Sequence, residues 1–594
     1  MENNKFSVKK FIFSILFNAV ILAIALFVFK PFFEEIDDTQ ICMIVEGAFG
    51  PKDWHVIYPN FLLGKFYVLL QTLAPMVRWH IVLQYVAIYV GYVFSVYVIS
   101  KHKRGLYISI AAVLATFYEL YVSIQYTKTA SFICGVGFIL LFEYVRNNTS
   151  FKNTSDTMIS GGRGYSKNEN RLFIAIAVLL ILYGALLRPE SFFIAGVSAA
   201  AVGLIELSRT KNIKKYLVVF APVFAMVLLL SVLNSSVYKK DETWSHFMQY
   251  NQARMQLNDY RYDILYYPEN GDKLKELSVS ENDALAILTY QYGDDTVFSL
   301  DRFLEIRAPF PARKFGYKTF ANLYENLVNE LKRSYTILVG LCGLIVVLIA
   351  SNITDGSKSA PGFISDARRK WAEVCLLALF CGSAIVYFQY SGRYSHRLIG
   401  AIVVPTIFMI CYSIDSIFIK DNDSKIVFGG NKNDLTMAAG IVISIVLIGL
   451  NGLLYMRNTS DYSAYQAEQL PMLNALNEMT NDKDSLYVGD TFTFQNVWKY
   501  QTFNVFEEKS LDNFVTCGSW YLNSPITKSI TNKYGYENPM TAIRGGDDNI
   551  FLLDNMNTEC KTLFLTEHYD KIYKAIMLEN RGGIDVYRVQ ETEK

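Results

Sequence analysis

The sequence predicts a mainly α-helical, polytopic membrane bundle carrying a small α/β domain at its C-terminal end. Three observations predict it. Hydrophobic residues make up 52% of the 594-residue chain and charged residues only 19%, against about a quarter charged in an ordinary soluble domain. The apolar residues fall in blocks of about 17–22, the length that crosses a bilayer as helix. The connections between blocks alternate between rich and poor in Lys and Arg, the asymmetry that sets orientation in a membrane.

This patterning excludes a soluble enzyme, a disordered chain and a disulfide scaffold. A net charge of +1 gives no field to gather nucleic acid, so no nucleic-acid partner is expected. Eight cysteines are dispersed, with no CxxC and no metal-ligand spacing. Those inside apolar blocks read as small buried thiols.

Taken in order, Met1 to Lys10 carries Lys5, Lys9 and Lys10, and an apolar run from Phe11 to Phe29 follows. The run is too long for a signal peptide and lacks a small-residue cleavage site, so it reads as a retained first helix. Further blocks lie near 80–100, 105–122, 129–145, 172–187, 191–207, 216–233, 335–351, 371–390, 398–414 and 435–456. They bring the expectation to about eleven spans. Phe61 to Met76 is interrupted by Lys65 and Gln71 and reads as a re-entrant or interfacial helix.

With the N-terminus inside, every inside connection is basic. They hold Lys101-His102-Lys103-Arg104, Arg146 to Arg171, Arg209 to Lys215, Lys358 with Arg368-Arg369-Lys370, and Lys420 to Lys432. The expected order is therefore a body of seven spans with an acidic first outer loop (1–233), an outer insert (234–333), four last spans (334–456) and an outer α/β domain (457–594), N-in and C-out. In that domain Ser485-Leu486-Tyr487-Val488 and Thr562-Leu563-Phe564-Leu565 read as strands and Tyr569 to Met577 as a helix. Cys517 and Cys560 both lie there, on the oxidising side, but spacing alone does not pair them. There is no repeat of solenoid period, and no inverted pair of broken helices of the kind that marks a secondary transporter.

The first outer loop places Glu34, Glu35, Asp37 and Asp38 within five positions. A carboxylate at a membrane surface serves as a general base or a metal ligand; the plain alternative is a solvated acidic cap. Asp38 suits the N-cap of the helix-like Thr39-Gln40-Ile41-Cys42-Met43, which accounts for one aspartate and not for both. Outer-face cations come next: Lys128, Arg188 in Arg188-Pro189-Glu190, then Arg393, His396 and Arg397. Positive-inside statistics disfavour them there. They point to anion binding or to pairing with outer carboxylates, with snorkelling as the alternative. Glu119, near the outer end of the third span, is expected to pair with Lys128. His55, ahead of Tyr58-Pro59-Asn60, reads more readily as structural than functional. In the insert, Phe247, Tyr250 and Arg254 share one helical face, as in a packed lid helix; the functional alternative has Arg254 or Asp259 contacting an acceptor.

Together these residues resemble the GT-C superfamily of integral-membrane glycosyltransferases. The matching pieces are Asp37-Asp38 after the first helix, His55…Pro59-Asn60-Phe61-Leu62-Leu63, Tyr126-Thr127-Lys128-Thr129-Ala130, Leu187-Arg188-Pro189-Glu190, and Gly392-Arg393…Arg397 followed by Pro405. They cover the body to about Tyr455. The resemblance implies inverting transfer of a sugar from a polyprenyl-phosphate donor on the outer face of a bacterial plasma membrane, onto an envelope glycan, lipid or protein. It implies Asp37 or Asp38 as general base, and Lys128, Arg188, Arg393 and Arg397 around the departing lipid phosphate. Glu35, His55, Glu119, Glu190, Arg254, Asp259 and His396 would stand near the acceptor or behind the reacting groups. Some members use a divalent metal such as Mg or Mn and others none, so no cofactor is fixed. The long 234–333 insert departs from the family's pattern and leaves the acceptor open.

Three other readings stay open. An envelope polysaccharide polymerase or ligase shares the spans, outer arginines and long loop but does not need the aspartate pair. A lipid or oligosaccharide exporter needs polar residues through the membrane midplane, and few are present. A scaffold binding the cell wall would depend on the tail alone.

Overall fold

The computed structural model describes residues 8–100, 105–148, 151–152, 158–159, 167–333, 335–354, 363–417 and 433–592. Lys5, Lys101 to Arg104, Lys358 and Lys420 to Lys432, on which part of the orientation argument rests, lie outside the described residues. The chain is mainly helical. Among the described residues nine helices are long and apolar enough to cross a membrane, as a multi-pass protein requires. They begin with Val8–Phe27, Trp79–Ile99, Gly105–Val122 and Tyr126–Asn147, and end with His396–Ser413 and Ala438–Thr480. The spans expected near 335–351 and 371–390 fall in helices Tyr335–Thr354 and Phe363–Ser391. Their described apolar parts, Tyr335–Ile345 and Cys375–Ser391, are shorter than a span.

Tyr126–Asn147 is the pillar of the bundle, with nearly all of its apolar stretch buried. Small residues let its neighbours approach, the usual device where lipid supplies no hydrophobic drive. A Cβ on Gly137 would stand 2.5 Å from Ile181, and one on Gly184 would stand 2.5 Å from Cys134 Sγ. The helix Phe61–Leu73 is apolar and exposes Leu62, Phe66, Leu69 and Leu73. That single stripe suits an interfacial position.

A second core lies outside the bundle. It joins the segment after the first helix (Ile41, Val45, Phe49), the insert (Phe247, Tyr250, Phe303) and the tail (Trp498, Phe514, Trp520). The helix Asn433–Thr480 runs from the bundle straight into this core, across residue 457, and buries Met472, Leu476 and Met479 there.

The tail holds a five-stranded sheet in the order 514–516, 486–489, 550–553, 584–592, 572–581. The first three strands are parallel and the last two antiparallel. Leu486–Gly489 is a strand as expected, but the other two assignments are corrected. Thr562 to Leu565 belongs to the helix Thr558–His568. Cys560, Lys561, Phe564 and Leu565 are its buried residues, a spacing of one helical face rather than the alternation of a strand. Tyr569 to Met577 is not helical: Ile572–Arg581 is a strand pairing with Ile584–Thr592. Gly582 and Gly583, at φ 59° and 91°, form the two-residue turn between them, the glycine pair that a tight hairpin favours. Cys517 and Cys560 are buried free thiols.

Candidate functional site

The acidic loop is fixed before its helix begins. Phe32-Phe33 pairs in parallel with Ser123-Ile124, and the Glu34 amide donates to the Ile124 carbonyl at 3.1 Å. The following helix spans Ile36–Glu46, with Glu35 at its N-cap and Asp37 and Asp38 in its first turn. Carboxylates are favoured there by the helix dipole. The N-cap expected at Asp38 is therefore corrected: the helix starts earlier, and Asp38 bonds elsewhere. Fully buried, Asp38 meets His80 Nε2 at 2.8 Å, accepts from Gln84 Nε2 at 3.0 Å, and accepts from the Tyr126 amide at 3.2 Å. It ties three helices together and lies outside the lining of the cavity described next.

A cavity of about 290 Å³ lies between the loop and helix that follow Val8–Phe27, the 234–333 insert, the bundle and the tail. Of the residues expected at a site, Glu35, Asp37, Arg254, Asp259 and Arg397 line it. Arg397 Nη1 donates to Asp37 Oδ2, joining positions 360 residues apart. Asp259 forms a second anchor: Arg393 Nη1 donates to it at 2.8 Å, Tyr290 OH donates at 3.1 Å, and Arg254 lies 3.7 Å away. Burial works to raise the Asp259 carboxyl, and the Arg254 and Arg393 guanidiniums outweigh it, leaving it below the ordinary carboxylate range. Glu35 goes the other way. Burial pushes it up more than Arg397 holds it down. Arg188 stands behind this wall. It donates to Tyr126 OH, lies 5.0 Å over the Tyr58 ring, and meets the exposed Glu190 at 3.4 Å. Three arginines, Arg254, Arg393 and Arg397, thus hold two aspartates at the cavity wall, guanidinium groups of the kind that also bind phosphate.

A deeper network lies under the cavity. Lys128 Nζ reaches Glu34 at 2.5 Å and Glu119 at 2.8 Å, so the expected pairing with Glu119 is present and widened by Glu34. His396 Nε2 lies 3.1 Å from Glu119, and its Nδ1 lies 2.7 Å from Glu330 of the insert's last helix. Burial raises Glu34, but Lys128 and His396 outweigh it and hold it low. Glu34, Glu119 and His396 carry donor atoms within 4.8 Å of one another, a set that would suit Mg or Mn. The Lys128 ammonium, however, stands between the two carboxylates where such an ion would sit. The set fits a salt-bridge network and not a metal cage.

His55 is held away from the cavity, stacked between Trp54 at 3.6 Å and Trp244 at 4.1 Å, with Asp53 at 2.5 Å from Nδ1. The sequence reading missed the tail's share of the wall, namely Phe492, Lys499, Ser519 and Trp520. Phe492, Ser519 and Trp520 follow the parallel strands 486–489 and 514–516, and carboxyl ends of parallel strands are where α/β sheets place ligands. No local sequence signal marks them, because the pairing that places these loops joins strands far apart in the chain.

The insert is clamped over the cavity by the tail. Gln291 donates to Asp490 at 2.7 Å, and His568 Nε2 meets Asp283 at 2.7 Å. Burial works to lower His568, but Asp283, with Glu567 and Asp294 nearby, raises it above its ordinary 6.5. A raised histidine lends stability that is full below its unfolded value and lost as pH climbs through the folded one. Hydrogen exchange in helix Glu281–Leu288 is therefore expected to quicken, beyond the chemical rate, as pH rises above the ordinary histidine range. His568→Gln should flatten that change; an unaltered pH profile in the variant would place the switch elsewhere.

No protein-family model and no curated protein matches the chain.

Proposed function

We propose that the protein is a GT-C-type membrane glycosyltransferase of the bacterial plasma membrane, with about eleven spans, its N-terminus inside and its site on the outer face. One observation carries this reading. The Asp37–Arg397 ion pair lies in the wall of a cavity lined by the loop after the first helix, the insert and the tail. The proposed donor is a polyprenyl-phosphate-linked sugar and the acceptor an envelope glycan, lipid or protein bearing a hydroxyl.

Asp37 takes the acceptor proton while the acceptor oxygen attacks the anomeric carbon. The bond from that carbon to the phosphate oxygen breaks, and polyprenyl phosphate leaves. Direct displacement inverts the anomeric centre. Arg397 shifts from Asp37 towards the leaving phosphate, and Arg254 and Arg393, anchored on Asp259, add charge beside it. Fixed donors aimed at developing charge in a partly dry cavity supply most of such a rate enhancement. Proton and charge transfer run through side chains already present, and the Lys128 network holds the loop that carries Asp37.

The test is turnover in proteoliposomes supplied with polyprenyl-phosphate-linked hexose and an envelope extract. Release of bare polyprenyl phosphate, with a product of inverted anomeric configuration, is the expected result. Turnover only with a diphosphate-linked oligosaccharide would replace this reading with a polymerase or ligase. No turnover of either donor would remove the enzyme reading.

A further inference from the structure

The tail contributes a cation that the transfer scheme does not use. Lys499 lines the same cavity as Asp37 and Arg397. Its backbone is fixed, because its carbonyl accepts from the Phe33 amide at 2.8 Å. Its ammonium lies 5.1 Å over the Phe32 ring and 5.8 Å over the Tyr500 ring. Among the described residues that ammonium has no hydrogen bond and no ion pair. A half-buried charge left in this state is costly unless a counter-charge arrives.

Its neighbours are cations too. Arg457 Nη1 donates to the Lys332 carbonyl at 3.3 Å, which brings it beside Arg333. Among the described residues the carboxylate that meets Arg457 is Asp461, at a long 3.8 Å, with both side chains half exposed. Lys30 lies 5.5 Å over the Tyr462 ring, and that ring stands 5.1 Å from Tyr500. Burial holds Lys499 below its ordinary value, and Arg333 and Arg457 add to this against the pull of Asp461.

Depth gives the patch its meaning. Lys30 lies just past the end of Val8–Phe27, Arg333 just before Tyr335–Thr354, and Arg457 just past the apolar run ending at Met456. Phe32, Tyr118, Tyr455, Tyr462 and Tyr500 form the ring belt around them. Aromatic belts and helix ends mark the headgroup level. On the orientation proposed above this is the outer face, where cations are disfavoured unless they bind something.

From this we infer that Lys499, Arg333 and Arg457 form a docking site for the phosphate of an outer-leaflet lipid, at the mouth of the cavity that holds Asp37. The tail domain thereby takes part in capturing lipid. This deepens the donor side of the transfer reading, but it needs no turnover and can stand or fall apart from it.

The experiment uses the full chain in nanodiscs containing phosphatidic acid and phosphatidylcholine, with bound lipid counted by native mass spectrometry. The protein should retain phosphatidic acid in preference. Lys499→Gln and Arg457→Gln should each weaken that preference about fivefold, the worth of one cation at a lipid surface. Lys499→Arg should keep it, and Lys571→Gln, in a solvent-exposed pair with Glu591, should leave it unchanged. Equal retention of both lipids, or a preference untouched in the double variant, overturns the site. Displacement of a bound anion by millimolar inorganic phosphate, with no preference between the lipids, reassigns the patch to free phosphate and overturns the lipid assignment.

Discussion

Asp37→Asn is expected to lower the proposed sugar transfer by about 10²–10⁴-fold, the usual worth of a positioned general base, with folding preserved. Asparagine keeps the volume and still offers Arg397 a carbonyl oxygen, so the wall of the cavity stays packed. What it loses is the ability to take a proton. Asp38→Asn should behave differently. Its carboxylate lies outside the cavity lining and is engaged by His80, Gln84 and the Tyr126 amide. An amide there turns a donor towards other donors, so melting temperature should fall while turnover per folded molecule changes little. Both variants are compared by transfer rate and thermal unfolding in the same detergent. Full transfer by the Asp37 variant would remove the base assignment. A loss confined to the Asp38 variant would move the chemistry to the buried network.

Much of this site was legible because two local arguments met in one place. The acidic loop is visible as four carboxylates after one helix, and Arg397 is visible as a cation on the side that the basic-residue pattern assigns to the outside. Neither argument pairs Asp37 with Arg397; only the tertiary structure brings them together. Lys128 and Glu119 were easier, being nine positions apart across a single turn. Glu34 was not separable from Glu35, since adjacent equal charges differ only in the direction the chain faces. The helical bundle was legible because a span needs about 20 apolar residues and nothing in soluble proteins imitates that cheaply. The tail was harder. The short run Leu563-Phe564-Leu565 satisfies either period, and short apolar runs are ambiguous between helix and strand. Its contribution to the cavity comes from loops after parallel strands, and parallel partners are distant in sequence.

Lys561→Met should cost the tail domain about 3–5 kcal/mol, the price of breaking a buried ion pair from one side. Lys561 Nζ meets Asp554 at 2.6 Å and Asp490 at 3.0 Å, and all three side chains are fully buried. The triad closes the ends of strands 486–489 and 550–553, and Gln291 of the insert joins it through Asp490. Burial works to raise Asp490, but Lys561 outweighs it and holds the carboxyl below its ordinary 3.8. A depressed carboxyl lends stability that is present above the unfolded value and lost as pH falls through the folded one. Removing the lysine reverses that sign, because two buried carboxylates without a cation favour protonation. The deficit of the variant, read by limited proteolysis of the tail in the full chain, should therefore narrow as pH falls. A packing defect would not respond to pH. The combined variant Lys561→Met, Asp490→Asn, Asp554→Asn separates the two causes further, since it keeps the methionine and removes the charges. Recovery of most of the lost stability assigns the effect to unpaired charge. A deficit equal to that of the single variant assigns it to shape and removes the electrostatic account of how the tail is locked over the cavity.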